Sequence, residues 1–440
     1  MLITNAVIFN EGRELIGDLR IKNGRIDKVA KYIAASAEEE VFDADGRWLL
    51  PGFIDDQVHF REPGLTHKGD LATESAAAVA GGITSFMEMP NTIPNATTRE
   101  ILAQKYVFAQ GRARANFAFY FGGANDNLEE VKRLQPGEAC GVKVFMGAST
   151  GNMLVDDPKT LEGIFQHAPG LIATHCEDTP TIKANEAAAK EKYGDDIPLA
   201  EHPYIRSEAA CYKSSLLATT LAKKYNAKLH VLHLTTAKEL EFFPAGPLKD
   251  KRITAEACVH HLFFDETDYA TRGNFIKCNP AIKTVADRVA LLAAVRDGRL
   301  DVIATDHAPH TLEEKSQPYI KAPSGLPLVQ HALLMVLELV KRGEFDLHTA
   351  IARTSHGVAE RFGVKARGYI REGYWADLVL VDPNAKTTIT RDKVLYKCGW
   401  SPLEGMTLSH SIAATWVNGE LAYASGKVSP EIKGIRLEFN

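Results

Sequence analysis

A group of polar residues interrupts an apolar run near the start of the chain. Residues 52–60 have the pattern of a buried strand, and Gln57, His59 and Arg61 occupy every second position at its end. Because the side chains of a strand alternate between its two faces, these three point to the same side. A histidine and an arginine leaving an apolar strand together cost free energy unless a metal ion, an anion or a cavity receives them. The pattern predicts a functional site; the alternative is two polar side chains satisfied on a solvent-facing edge.

Four further residues with metal-binding or acid–base chemistry lie within or directly after later apolar runs. They are Lys143, His175, His233 and Asp306. One histidine at a strand end is more often a satisfied structural side chain than a ligand, but the whole set favours a shared site. Imidazole nitrogens and a carboxylate oxygen suit zinc, and neither thiolates nor an acidic oxygen cage accompany them. We therefore predict a site for one or two zinc ions.

Lys143 is the unusual member, because the run at 141–145 otherwise has the pattern of a buried strand. A buried lysine can lose its proton. The neutral amine can then add carbon dioxide to become a carbamate, an anionic oxygen ligand able to bridge two cations. The alternative is a lysine paired with a nearby carboxylate.

The elements that must position this site form a repeating pattern. Eight short apolar runs lie at 52–60, 83–89, 116–121, 141–146, 171–175, 228–234, 253–259 and 302–305. Helix-like segments between and after them include 72–80, 207–224, 286–296 and 326–341. Eight strand–helix units favour a closed parallel (β/α)8 barrel of the TIM type over an open doubly wound sheet, and no Gly-x-Gly-x-x-Gly turn follows the first strand. Such barrels place their chemistry at the carboxyl ends of the strands, where the candidate residues fall.

Both ends of the chain have a β pattern instead. Asn23-Gly24 favours a tight hairpin, and the runs at 376–382 and 413–420 resemble strands. We predict an α/β fold in two parts. Residues 51–365 would form the barrel, and residues 1–50 plus 366–440 would form a small composite β-sandwich.

The composition bounds the class of ligand. The 440 residues are 45% hydrophobic and 24% charged, which allows a large core, and the formal net charge is -5. Without a basic excess, neither nucleic acid nor an anionic membrane is favoured, and we expect a small-molecule substrate. The first residues contain no basic leader and no run is long enough to cross a bilayer, so we expect a cytoplasmic protein. The six cysteines have no paired spacing, which predicts reduced thiols in the core.

An ordered set of motifs resembles the dihydroorotases, in the branch of the cyclic amidohydrolases related to hydantoinases and allantoinases. The motifs are VHFREPG at 58–64, MPNT at 89–92, VKVF at 142–145, THCE at 174–177, HVLHLT at 230–235, CNP at 278–280 and ATDHAPH at 304–310. Together they cover essentially the whole chain. The resemblance implies a barrel with a composite sandwich built from both chain ends.

The resemblance also implies metal-binding roles. His59 matches a ligand, and Lys143 matches a carboxylated lysine that bridges two zinc ions, although an aspartate serves in some members. His175 and His233 match the ligands of the second ion. Asp306 matches a ligand that is also the proton shuttle.

A second set of residues is implied to bind substrate. The set comprises Arg61, Asn91, Asn279, His310 and the backbone of Ser324 and Gly325. Arg61 can hold a substrate carboxylate in a two-pronged grip, while Asn279 and the two backbone positions are expected to contact the ring.

Gln57 departs from the pattern, because the family's first strand ends His-x-His-x-Arg and the first histidine is replaced here. An amide oxygen is a weaker zinc ligand than imidazole. Asp56 is a poor substitute, since strand alternation sends it to the face opposite His59. We therefore expect one tightly bound zinc ion and a second that is weakly bound or absent.

Several histidines lie beside the motifs without an assigned role, namely His230, His260, His261 and His307. Strand alternation points some of them away from the centre, so we expect them to be packing or supporting residues. Glu256 is a weaker candidate for orienting a ligand.

The function implied is the reversible cyclisation of N-carbamoyl-L-aspartate to dihydroorotate in pyrimidine synthesis. A hydantoinase or allantoinase is the nearest alternative, and Arg61 speaks against it because those substrates carry no carboxylate at the matching position. The other alternative is a non-catalytic scaffold of aspartate transcarbamoylase, for which Gln57 is the one supporting feature. We expect a homo-oligomer, for example a dimer, and allow for association with aspartate transcarbamoylase.

Overall fold

The computed structural model describes residues 1–147 and 153–440. Five strands precede the barrel: β1 (Leu2–Asn10), β2 (Arg13–Lys22), β3 (Arg25–Ala30), β4 (Val41–Asp43) and β5 (Trp48–Pro51). The turn between β2 and β3 has positive φ at both Asn23 (52°) and Gly24 (75°). Two such residues form the primed turn whose twist matches a hairpin, so the hairpin prediction is confirmed.

Eight parallel strands close into the predicted barrel. Their segments are β6 (Phe53–Val58), β7 (Ile83–Glu88), β8 (Asn116–Phe119), β9 (Phe121–Gly122), β10 (Val142–Phe145), β11 (Ile172–His175), β12 (Leu229–Val231), β13 (Ile253–Cys258) and β14 (Val302–Ala304). Only Tyr120 separates β8 from β9, which together make the third barrel strand; β8 pairs with β7 and β9 with β10. The ring closes where His59 N donates to His307 O at 2.7 Å. All eight predicted runs contain a barrel strand, and the fold class is confirmed.

Helices follow the barrel strands and cover their outer faces. They are α1 (Leu71–Ala80), α2 (Arg99–Ala109), α3 (Leu128–Arg133), α4 (Pro158–His167), α5 (Thr179–Tyr193), α6 (His202–Ile205), α7 (Glu208–Tyr225), α8 (Val259–Phe263), α9 (Tyr269–Arg272), α10 (Val285–Asp297), α11 (Leu312–Lys315), α12 (Ala332–Lys341), α13 (Leu347–Ile351) and α14 (Gly357–Phe362). Side-chain caps explain some boundaries. Ser207 accepts from Ala210 N at the start of α7, and Thr284 accepts from Asp287 N at the start of α10.

The predicted helix at 326–341 is wrong over its first six residues, because α12 begins at Ala332. Leu326 instead forms a bridge with His307, and the backbone N–H of Leu328 donates to His307 Nδ1 at 2.9 Å. The apolar side chains of this segment are buried against the barrel without a helix. The apolar residues at 326–331 reflect burial against the barrel and not a helix, which is why the pattern predicted the helix start wrongly.

The two chain ends share one sheet. The C-terminal strands are β15 (Leu378–Asp382), β16 (Thr387–Thr388), β17 (Thr407–Leu408), β18 (Ser411–Val417), β19 (Glu420–Ala424) and β20 (Lys427–Val428). The sheet order is β20-β19-β18-β15-β5-β1-β2-β3, with β4 beside β1. It folds over so that the rings of Phe42 and Trp416 meet edge to face, 5.1 Å apart. We propose that this sheet and the barrel are separate domains with the bounds predicted from the sequence.

An apolar cluster closes one end of the barrel. Ile54, Met87, Ala173 and Leu232 pack there with Phe362 of α14. The candidate site residues lie instead at the other end, where the strands finish. Among the described residues, no helix has the length and apolar character needed to cross a membrane.

Candidate metal centre

One pocket at the carboxyl ends of the barrel strands collects the predicted site residues. It is lined by Gln57, His59, Arg61, Asn91, Lys143, His175, His233, Asn279, Asp306, Ser324 and Gly325, together with Phe145 and Ala308. Of the predicted set, His310 alone does not line the pocket, and its Nε2 lies 3.1 Å from the guanidinium of Arg61. The sequence therefore predicted which residues come together, while their individual roles stay predictions.

His175 and His233 present ring nitrogens to each other. His175 Nδ1 lies 3.0 Å from His233 Nε2, and His175 Nε2 lies 2.9 Å from Glu177 Oε2. When Nε2 donates its proton to the carboxylate, Nδ1 is left with a lone pair directed at His233. Two nitrogens that bind one tetrahedral zinc ion are about 3.3 Å apart. The pair therefore has the orientation and spacing of two metal ligands.

Glu177 supports this pair. Its carboxylate is fully buried and also forms an ion pair with Arg206. Burial alone would raise the pKa of Glu177, but Arg206 and the hydrogen bond from His175 outweigh it and lower that pKa to about 2. A permanently charged acceptor fixes the His175 tautomer and makes its free nitrogen a stronger donor to a metal. The sequence signal was Glu177 itself, two positions after His175; nothing in the sequence indicated Arg206.

A second pair of facing candidate ligands lines the same pocket. His59 Nδ1 lies 2.9 Å from Asn91 Oδ1, and His59 Nε2 lies 3.1 Å from Asp306 Oδ1. With Nδ1 donating to the amide oxygen, Nε2 and the Asp306 carboxylate are both acceptors. Two acceptors at this distance require a proton or a cation between them, so this pair also suits a metal.

Backbone conformation turns three of these side chains into the pocket. Arg61, His233 and Asp306 have positive φ values of 72°, 38° and 48°. For residues other than glycine, this conformation costs about 1–3 kcal/mol and is found mostly at functional sites. Gly325 has φ of 145°, and a Cβ there would lie 2.4 Å from Ala308 O, so only glycine fits beside the pocket.

Lys143 lines the same pocket as the two pairs and is 1% exposed. Burial lowers its pKa to about 8. Its Nζ lies 4.6 Å from the Phe145 ring centroid, and within the described residues no carboxylate forms an ion pair with it. Burial thus outweighs the attraction of the Asp306 and Glu256 carboxylates, which would raise the Lys143 pKa, and a carbamate at Lys143 stays a prediction.

Gln57 reaches the same pocket and is 1% exposed. Its Oε1 is 3.4 Å from Cys258 Sγ, which donates to it. The neighbouring Asp56 does not line the pocket and instead pairs with His230 Nε2 at 3.4 Å. The position of the family's first histidine is thus filled by an amide whose oxygen already has a weak donor.

The side of the pocket formed by Arg61 is cationic, and the Arg61 side chain is held by hydrogen bonds. Arg61 Nε donates to Pro309 O at 3.1 Å, and burial lowers the Arg61 pKa to about 10, so the side chain remains charged at neutral pH. Lys68 Nζ lies 3.0 Å from both His310 Nδ1 and Glu314 Oε1. Such a wall suits a substrate carboxylate. Lys68 and Glu314 were not predicted, because they lie outside the regular strand positions.

Asn279 adds a polar group to the lining of the pocket, whereas Glu256 and His307 do not line it. Asn279 Oδ1 is buried and has no hydrogen-bond partner in the described residues, which leaves it free for a ligand. Glu256, the weaker candidate for orienting a ligand, does not line the pocket; its Oε1 accepts from the backbone His233 N–H at 3.2 Å, and an orienting role stays a prediction. His307 lies outside the pocket, where it binds Glu74 Oε2 at 2.8 Å as a supporting residue.

Comparisons with known proteins agree with this geometry. Residues 48–422 match the amidohydrolase family model. Proteins named dihydroorotase from Methanosarcina acetivorans and Halobacterium salinarum are 32% and 33% identical to this chain, over 98% and 92% of it and 96% and 92% of their own lengths.

Solved structures share the fold. L-hydantoinase from Arthrobacter aurescens superimposes with a TM-score of 0.92 at 24% identity, covering 99% of both chains. Dihydropyrimidinase from Brevibacillus agri superimposes with a TM-score of 0.88 at 24% identity, covering 99% of this chain and 97% of its own. The family match over most of the chain and the full-length relatives, together with the paired candidate ligands at the barrel mouth, lead to one conclusion: this chain belongs to the amidohydrolase family.

Proposed function

We propose that the protein is a zinc-dependent dihydroorotase, which interconverts N-carbamoyl-L-aspartate and dihydroorotate in pyrimidine biosynthesis. The observation that carries the proposal is the buried, charged Arg61 in the same pocket as the two pairs of candidate metal ligands. The names of the full-length relatives support the same activity. Dihydroorotate carries a carboxylate beside its cyclic amide, and hydantoin and allantoin do not.

The donor set fits zinc. His175 and His233 would hold one ion, His59 and Asp306 would hold another, and Lys143 as a carbamate would bridge them. A bound ion would polarise the ring carbonyl and lower the pKa of water. With Gln57 in place of a histidine, we propose that the ion between His175 and His233 is tightly held and the other weakly held or absent.

The chain's own groups would bind the substrate and move its proton. Arg61 holds the carboxylate, with Asn91 and His310 beside it, and Asn279 meets the ring. During ring opening, Asp306 accepts a proton from the attacking water and delivers it to the departing amide nitrogen. Synthesis runs the same steps in reverse.

Substrate choice tests the proposal. We expect kcat/KM to be far higher for dihydroorotate than for hydantoin or allantoin. Arg61→Met removes two charge-assisted hydrogen bonds of about 1.5–3 kcal/mol each, which predicts a loss of at least about a hundredfold for dihydroorotate. Any residual hydantoin hydrolysis should be unaffected.

Arg112→Met is the matched control, because Arg112 forms an ion pair at 2.6 Å with Glu62, next to Arg61, and does not line the pocket. A preference for hydantoin or allantoin would show that the protein has another substrate. No turnover of any of the three would favour the second candidate, a non-catalytic scaffold, which the filled position of Gln57 supports. Formation of a homo-oligomer such as a dimer, association with aspartate transcarbamoylase and a cytoplasmic location stay predictions.

A further inference from the structure

A second group of metal-binding side chains lies outside the pocket. It consists of His260 and His261, at the start of α8, and Cys278, just before Asn279. One ligand atom from each lies within 4.8 Å of the other two. The three residues are 0%, 3% and 1% exposed, and none of them lines the pocket at the barrel mouth. We call this group the HHC cluster.

The HHC cluster contains buried nitrogens without partners. In the described residues, neither ring nitrogen of His260 has a hydrogen bond, nor does His261 Nδ1. The Thr305 carbonyl oxygen lies near the His260 ring, but the two groups do not have the geometry of a hydrogen bond. Buried polar groups are almost always paired, so three such nitrogens in one place require an explanation.

The other polar atoms of the HHC cluster, His261 Nε2 and Cys278 Sγ, both contact the Pro280 carbonyl. His261 Nε2 lies 3.1 Å from Pro280 O, to which it donates, and its Nδ1 therefore carries a free lone pair. Cys278 Sγ lies 3.6 Å from His261 Nε2 and 3.2 Å from Pro280 O. The two imidazole rings of the cluster have centroids 4.0 Å apart. The donors thus share one small buried space.

The chemistry of these donors selects a class of ligand. Two imidazoles and one thiolate suit a borderline or soft cation such as Zn²⁺ or Co²⁺. The donors of a tetrahedral zinc site are about 3.3–3.8 Å apart, so an upper limit of 4.8 Å requires only small side-chain movements.

We propose that His260, His261 and Cys278 form an additional metal site for one thiophilic divalent cation, independent of the ions at the barrel mouth. The site would join α8 to the segment that carries Asn279, one of the groups facing the pocket. An ion there would replace the missing hydrogen bonds and fix that segment. From the sequence these residues were expected only to pack in the core, because Cys278 lies 17 residues beyond His261 and the three follow no zinc-motif spacing.

Cobalt substitution tests the proposal directly. The metal-free protein is titrated with Co²⁺, and the thiolate-to-cobalt charge-transfer band in the near ultraviolet is followed. We expect the parent to develop the band, Cys278→Ser to lose it, and Cys140→Ser to keep it. Cys140 is the matched control, a buried thiol outside the cluster. Cys258→Ser should also keep the band, which separates the HHC cluster from the thiol beside Gln57.

His260→Phe gives a second measurement that does not depend on sulfur. Phenylalanine fills the space of the ring and removes both unpartnered nitrogens. We expect this variant to fold, to hold one zinc ion fewer per chain by elemental analysis, and to lose part of the rise in melting temperature that Zn²⁺ gives the parent. A parent without the charge-transfer band, a band that survives Cys278→Ser, or an unchanged zinc content in His260→Phe would each overturn the proposal.

Discussion

Glu177→Gln tests whether the carboxylate that accepts from His175 controls metal binding at the candidate centre. The substitution keeps the size and shape of the side chain but removes the charge that accepts from His175 Nε2 at 2.9 Å. The amide can also present N–H to that nitrogen, and this would pull the His175 proton to Nδ1, the atom that faces His233. A protonated Nδ1 cannot bind a metal. The substitution should therefore weaken metal binding by His175 and His233 although neither of these residues is changed.

The size of the effect follows from that geometry. Loss of a carboxylate that orients a histidine ligand typically costs 10–100-fold in metal affinity, which corresponds to about 1.4–2.7 kcal/mol. Glu177 also forms a buried ion pair with Arg206, so the variant will lose stability as well. Affinity must consequently be measured on folded protein, by competition with a chromophoric chelator well below the melting temperature.

Glu74→Gln is the matched control. Glu74 is also fully buried and binds a histidine, His307, at 2.8 Å, but neither residue lines the pocket. We expect this control to lose stability while the tight zinc equivalent keeps its affinity. If Glu177→Gln binds that equivalent as tightly as the parent does, or if both variants weaken it equally, the assignment of Glu177 to the His175 pair is refuted.

Three further predictions follow from the site and from the groups beneath it. Zinc titration of the metal-free parent should show one tight equivalent and a weaker or absent second one, and Gln57→His should tighten the second; two equally tight equivalents in the parent would contradict this. Asp306→Asn should abolish turnover of dihydroorotate with an unchanged circular dichroism spectrum, and activity within a few-fold of the parent would exclude Asp306 as the proton shuttle. Burial alone would lower the pKa of His230, but its ion pairs with Asp56 and Glu256 raise it to about 9. The charged imidazole therefore contributes its full stabilisation of the fold below about pH 6.5, and this contribution is lost as the pH rises through 9. The melting temperature of the parent should fall more across that window than that of His230→Gln, and parallel curves would rule out this source of stability.

The sequence predicted the barrel and the composition of the pocket because both follow from local pattern. Short apolar runs that end in polar residues identify strands, and the closed barrel brings their carboxyl ends together. Lys143, His175 and His233 could therefore be placed near one another without coordinates. The turn at Asn23-Gly24 was predictable for the same reason, since two residues suffice to define it.

What the sequence did not predict depends on contacts between distant residues. Arg206 lies 29 positions beyond Glu177, and no local pattern links them. The left-handed conformations of His233 and Asp306 are imposed by the surrounding structure against their intrinsic preference. The helix predicted before α12 was wrong for the same reason. The Leu328 N–H binds the His307 ring, which keeps this backbone non-helical, and apolar periodicity cannot reveal such a contact.

The two candidate metal positions are supported unequally, and this difference has a functional consequence. The pair His175 and His233 is backed by a charged, buried carboxylate, whereas the position of Gln57 has an amide oxygen that already accepts from Cys258. A weak ligand at Gln57 lowers the affinity for an ion at that position, but it does not affect the Glu177 carboxylate behind the His175 and His233 pair. Where the first position holds its ion weakly, the Asp306 carboxylate, 3.1 Å from His59 Nε2, keeps an oxygen lone pair available to accept the proton of the attacking water. Asp306 can therefore serve as the acid–base group in a centre that holds one tight ion.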